Sequence, residues 1–206
     1  MKKLLYLTIV IMTIFSLTAC GNQNNISINT ITATKLTERE NMLISSISNA
    51  NFVFDFKVDD TYNEALLVLE RYEFGKKVVE KTRRVSIDIK NNNGTILFAT
   101  NIYTSGIVGN QTVFNISINS DGNASKKSWI EEILKKGEVL SGGEWGKNEM
   151  KNIPISDKIA LASICYSDGK EMSSQSADFY NDFENNLNEI EKYNVAYILR
   201  CEFTKK

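Results

Sequence analysis

The chain has 206 residues, 24 lysines and arginines against 25 aspartates and glutamates, and no histidine, for a formal net charge of −1 at pH 7. Without histidine the commonest general base is missing, and there is no Ser-His or Cys-His nucleophile pair and no imidazole-rich zinc site. A charge this balanced also provides no clustered basic face of the kind that nucleic acid requires.

Lys2 and Lys3 are followed by an apolar run from Leu4 to Leu17 and then by Leu17-Thr18-Ala19-Cys20. A basic start, an apolar middle and small residues before a cut are what a secretory leader needs. Fourteen residues would make a helix of about 21 Å at ~1.5 Å per residue, short of a hydrocarbon core of ~30 Å, so cleavage is expected rather than a permanent span. The Leu-Thr-Ala-Cys sequence resembles the lipobox of bacterial lipoproteins, a resemblance that covers residues 1–21. It implies that residues 1–19 are a signal peptide. It also implies that Cys20 becomes the diacylglyceryl-modified first residue of a chain fixed to the outer face of the cell membrane. Two acyl chains hold a domain durably where one would be marginal. Gly21, together with many Asn, Ile and Lys residues, resembles Gram-positive lipoproteins.

Loss of residues 1–19 leaves 22 basic side chains against 25 acidic, a net of −3, with no polybasic patch to assist the anchor. Residues 20–36 read as a lipidated flexible tether, because Asn, Ser, Thr and Gln dominate with only scattered Ile. A single domain is then predicted over residues 37–206. It opens with a short helix, where Thr37 and Glu40 have capping-box spacing and Met42, Leu43, Ile44 and Ile47 form an apolar stripe.

From Asn51 the period becomes two, with Phe52, Phe54, Phe56 and Val58 alternating with polar or smaller neighbours. Strands are predicted over 64–74, 76–90, 95–104 and 111–119, with Asn93-Gly94 as a hairpin turn that sets Val85, Ile87 and Ile89 opposite Ile96, Phe98 and Ile102. Glu70-Arg71-Tyr72-Glu73-Phe74-Gly75-Lys76-Lys77, within 62–79, resembles strand-turn-strand segments of uncharacterised Gram-positive lipoproteins and implies no activity. Ser128 and Glu131 repeat the capping-box spacing, and with Trp129, Ile130, Ile133, Leu134 and Gly137 they predict a second helix. Residues 141–146 read as a Gly-rich loop, 153–155 and 158–166 as strands, 179–190 as a helix and 195–203 as the closing strand. Pro154 is confined to a strand start or an edge. The fold class expected is mainly β: an antiparallel β-sandwich of about seven to nine strands with two or three short helices, with α+β as the alternative.

Cys165 and Cys201 form an even pair in an extracytoplasmic compartment, so a disulfide is permitted but not specified. The parity of Val195, Tyr197, Leu199, Cys201 and Phe203 points Cys201 into the core. No CxxC motif, phosphate loop or calcium loop is present, and no cofactor or metal is implied. Asp59-Asp60, Asp178 with Asp182, and Glu144 with Glu149 are the acidic clusters that a carboxylate-dependent wall hydrolase would use. Charges on turns and helix faces are more commonly solvated or complement a helix N-terminus. Trp145 is the candidate ligand-binding residue, its face offered to a sugar or peptide, with a lid on the core as the plainer reading. The expected function is a non-enzymatic binding or interaction domain at the cell envelope, taking a protein, peptide or glycan and no nucleic acid. A wall hydrolase and a structural envelope component are the alternatives.

Overall fold

The computed structural model describes residues 27–105, 109–133, 142–156, 159–169 and 172–205. The leader, Cys20 and Gly137 lie outside them. Alternating burial at Phe52, Phe54 and Phe56 needs a second apolar surface facing it, and two antiparallel sheets meet that need. The first contains β1 (Thr30–Ala33), β2 (Ala50–Lys57), β6 (Asn93–Ser105), β7 (Gly109–Ser120), β8 (Asn123–Glu132) and β10 (Ile153–Pro154), in the order β10-β1-β2-β6-β7-β8. The second contains β3 (Tyr62–Glu73), β4 (Lys76–Lys77), β5 (Arg83–Asp88), β9 (Gly142–Lys147), β11 (Ala160–Ser167) and β12 (Val195–Lys205), in the order β4-β3-β12-β11-β9, with β5 also on β3.

The mainly β sandwich is as expected, and twelve strands are described where the spacing predicts seven to nine. The surplus comes from β1, β8 and β9, which the spacing does not mark as strands, and from the division of one predicted strand. The predicted strand 76–90 divides into β4, a 3₁₀ turn at Val79–Lys81 and β5, and both strands pair with β3. Thr30–Ala33, read as tether, instead pairs with β2 on one side and β10 on the other. Ile31 is fully inside, so this one apolar side chain secures a strand in an otherwise polar segment. Pro154 sits on the edge strand β10, as its missing N–H demands.

Asn93-Gly94 is not a hairpin turn. Asn93 and Gly94 lie within β6, which pairs with β2 and β7, whereas β5 pairs with β3 in the other sheet. Val85, Ile87 and Ile89 therefore meet Ile96 and Phe98 across the core instead of along a ladder. The described part of the second predicted helix is not helical: residues 123–132 are strand β8, hydrogen-bonded to β7. Asp121 and Gly122, both at positive φ (53° and 74°), make the tight turn that commits β8 to a hairpin, and this overrides the helical spacing after it.

The core combines inward residues of both sheets, including Phe54, Phe56, Ile96, Phe98, Phe114, Leu67, Leu69, Ile164, Tyr166, Tyr197 and Leu199. A third layer covers the outer face of the second sheet. It comprises helix α2 (Ala177–Asn181) and a 3₁₀ helix over Phe183–Ile190, broken at Asn186, where one continuous helix is predicted. Phe179, Tyr180, Phe183 and Ile190 pack there with Tyr193 on Cys165, Ala196 and Ile198. Gly146 on β9 admits this layer, since a Cβ there would stand 2.5 Å from the Tyr180 hydroxyl. Helix α1 (Glu38–Ser45) has the predicted capping box, with Thr37 and Glu40 bonded reciprocally. It buries none of its residues, and Met42, Leu43 and Ile47 face solvent.

The register defines two ends. The chain enters at Thr30, opposite Lys57, beside Asn93 and the Asp121-Gly122 turn. The seven steps between the eight residues of β2 then carry the sheet roughly 23 Å, at ~3.3 Å per step, to the far end. Helix α1, the start of β7 and the ends of β3 and β8 lie there.

Candidate functional site

Trp145 is not in a loop. It lies on β9, the outermost strand of its sheet, in register with the core residue Ile164, and is 45% exposed. Its parity is inward, but among the described residues no strand pairs with β9 beyond it in that sheet. The ring is therefore left half-exposed at the edge of the sheet.

The acidic clusters remain separate. Asp59 closes a turn at the entry end, accepting from the Asn29 amide at 2.7 Å, from the Thr61 backbone at 2.9 Å and from the Thr61 hydroxyl. The Asn29 hydrogen bond first, and those from Thr61 next, hold its carboxyl below the usual range. Asp60 accepts from Asn92 nearby. Glu144 pairs in register with Cys165 on the opposite face of the sheet from the core, and Glu149 lies beyond the end of β9, 3.9 Å from Lys147. Asp178 is in the first turn of α2, where a carboxylate complements the helix N-terminus, and Asp182 is its C-cap.

Cys165 and Cys201 are free and buried on opposite faces of the second sheet, one beneath α2 and one in the central core, which explains why they are not joined. Burial pushes both thiols up, away from the reactive thiolate. Cys165 accepts from Gln175, which itself accepts from the Ser163 hydroxyl at 2.8 Å, with Tyr180 also 2.8 Å from that hydroxyl. That buried network seats the helical layer on the sheet.

Sequence reading missed the polar cluster at the far end. Consecutive residues of β3 point to opposite faces, so Glu70 goes outward and Arg71 inward. Outward, Glu70 accepts from the Tyr72 hydroxyl at 2.8 Å and pairs with Lys77 and Arg200. Inward, Arg71 donates from Nη1 to Glu131 Oε2 at 3.2 Å and to the Tyr197 hydroxyl at 3.1 Å, and from Nη2 to Glu73 at 2.8 Å. Arg83 reaches Glu131 Oε1 at 3.0 Å, and Lys81 Nζ stands 3.4 Å from Oε2. Glu131 is 3% exposed, yet three cations surround it. Arg83 also lies over the Trp129 ring, 5.9 Å from its centre, and Trp129 stacks on Phe114 at 5.6 Å.

A cleft of about 550 Å³ opens here, lined by Arg71, Lys81, Gln111, Ile130, Glu131 and Glu132. Arg71 Nε and Trp129 Nε1 are buried with no hydrogen-bond partner among the described residues. Unmet donors beside a convergent set of cations favour an acceptor group entering from outside. The cluster has no nucleophile with an adjacent base. Among the described residues no group of three or more His, Cys, Asp or Glu is placed to hold a metal ion. The signal that could have revealed the cluster is the Asp121-Gly122 hairpin, which puts residues 123–132 on a strand and Trp129 and Glu131 on its inner face.

Residues 30–203 match the family described as the YgaN domain, from the first residue of β1 to within two residues of the end of β12. Neither the comparison with curated proteins nor that with solved structures gives a match.

Proposed function

The chain belongs to the YgaN domain family, and on that premise we propose that it is a lipid-anchored binding domain of the cell envelope, held by an acylated Cys20 and without catalysis of its own. The leader supports the address: a basic start, an apolar run too short to span and a cysteine after Leu-Thr-Ala together fit lipidation. The observation that carries the binding role is the cleft lined by Arg71, Lys81 and Glu131, with Arg83 paired to Glu131 behind it, which stands at the end of the sandwich opposite the entry of the chain. A domain tethered through Thr30 holds that cleft away from the bilayer. The partner is a protein, peptide or glycan of the envelope, and the chemistry is recognition.

Metabolic labelling with palmitate tests the anchor. The full chain takes up label and partitions into detergent, and Cys20→Ala takes up none. A wild-type chain that incorporates no label overturns the reading.

A further inference from the structure

We propose that the far-end cleft binds a carboxylate group, with Arg71 as the principal partner and Lys81 as the second. The proposal rests on the reading of the chain as a binding domain and names the chemistry that such a domain recognises.

Arg71 supplies the first argument. It is 7% exposed, lines the cleft and has an Nε without an acceptor among the described residues. Its Nη2 is paired with Glu73, whose side chain is 48% exposed at the end of β3. Glu73 is the exposed member of that pair and regains its hydration on leaving, so it is the partner an incoming carboxylate can replace. Glu131 cannot play that part, because it is buried and held by three cations. Lys81 Nζ makes only a long contact to Glu131, 3.4 Å, on a side chain 43% exposed, which leaves further ammonium donors for a ligand at the mouth.

Charge selects the kind of anion. Arg71, Lys81 and Arg83 balance Glu73, Glu131 and Glu132, and displacement of Glu73 leaves one positive charge in surplus. Glu132 lines the cleft and opposes any ligand of higher negative charge. A singly charged carboxylate therefore suits the site better than a phosphate dianion. The planar guanidinium matches the two oxygens of a carboxylate, and exposed Ile130 provides apolar contact for the group that bears it.

The test is a titration of the full chain in detergent micelles, followed by the indole resonances of its two tryptophans. Trp129 lies beneath Arg83 and reports on the cluster, while Trp145 on β9 is the internal control. Acetate, glucuronate and N-acetylalanine are expected to move the Trp129 resonance saturably and leave Trp145 in place, and uncharged acetamide is expected to move neither. Tighter binding of glucuronate marks an acidic sugar as the source, and tighter binding of N-acetylalanine marks a peptide. Glu73→Gln is expected to tighten binding and Lys81→Met to weaken it, each about tenfold, the worth of one charge-assisted hydrogen bond. Both residues are half-exposed, so both variants are expected to stay folded, with cooperative melting that a thermal scan checks. An unsaturable response, an equal response to acetamide, phosphate binding tighter than every carboxylate, or affinities unchanged in both variants would overturn the proposal. Failure here with normal palmitate labelling removes the ligand and leaves the anchor, and the converse result removes only the anchor.

Discussion

Arg71 and Glu131 reach toward each other across the interior from different sheets, and at 3.2 Å their ion pair ties β3 to β8. A pair this deep contributes modest net stability when intact, because desolvation offsets attraction. Its rupture leaves buried charge without a counter-ion. Glu131→Ala should lower the unfolding free energy by about 3–5 kcal/mol, read from urea denaturation, as expected for removing one partner of a buried pair. Glu73→Ala, which takes away the half-exposed partner of the same arginine, should cost less than about 1 kcal/mol. Equal and small effects at the two positions would show that the cluster is solvated and not structural. Some of this residue-level detail was legible in the sequence. The parity that places Tyr197, Leu199 and Cys201 together inside follows from alternation alone. Glu131 was not legible, because a buried carboxylate on an inward position breaks the apolar pattern by which strands are recognised, and its spacing from Ser128 imitates a capping box.

At the level of elements, the helix with the clearest sequence signature contributes least to the core. The Thr37 and Glu40 capping box fixes α1, and the Thr37 hydrogen bonds hold the Glu40 carboxyl below its usual range, yet Met42, Leu43 and Ile47 remain outside. Local capping and tertiary burial are separate contributions, and here only the first is present. Thr37→Ala should cost about 1 kcal/mol of helix stability. Because α1 buries nothing, the loss should appear as faster hydrogen exchange confined to residues 40–46, with the melting temperature of the sheets unchanged. Spread of the faster exchange into β2 or β6 would mean that α1 supports the sandwich after all. The strands show the converse. β2 and β12 were plain from period and composition, whereas β1 and β9 depend on partners remote in sequence, and their polar or Gly-rich residues resemble tether and loop until those partners are known. The crossover from β5 to β6 escaped for the same reason, since Asn-Gly chemistry fits a local hairpin and nothing local indicates that the two strands belong to different sheets.

For the whole molecule, alternation and the short spacing of turns made the two-sheet architecture foreseeable, and the register then assigns one end to the entry of the chain and the other to the polar cleft. That polarity gives the proposed anchor a physical purpose, because a cleft at the far end stays in the aqueous phase when the entry end is held at a bilayer. Intact-mass spectrometry of the protein extracted from membranes tests the arrangement most directly. The account predicts a chain that begins at Cys20, lacks residues 1–19 and carries the added mass of a diacylglyceryl group on that cysteine. A chain that retains Met1 to Ala19, or one that begins at or after Cys20 without added lipid, would contradict it.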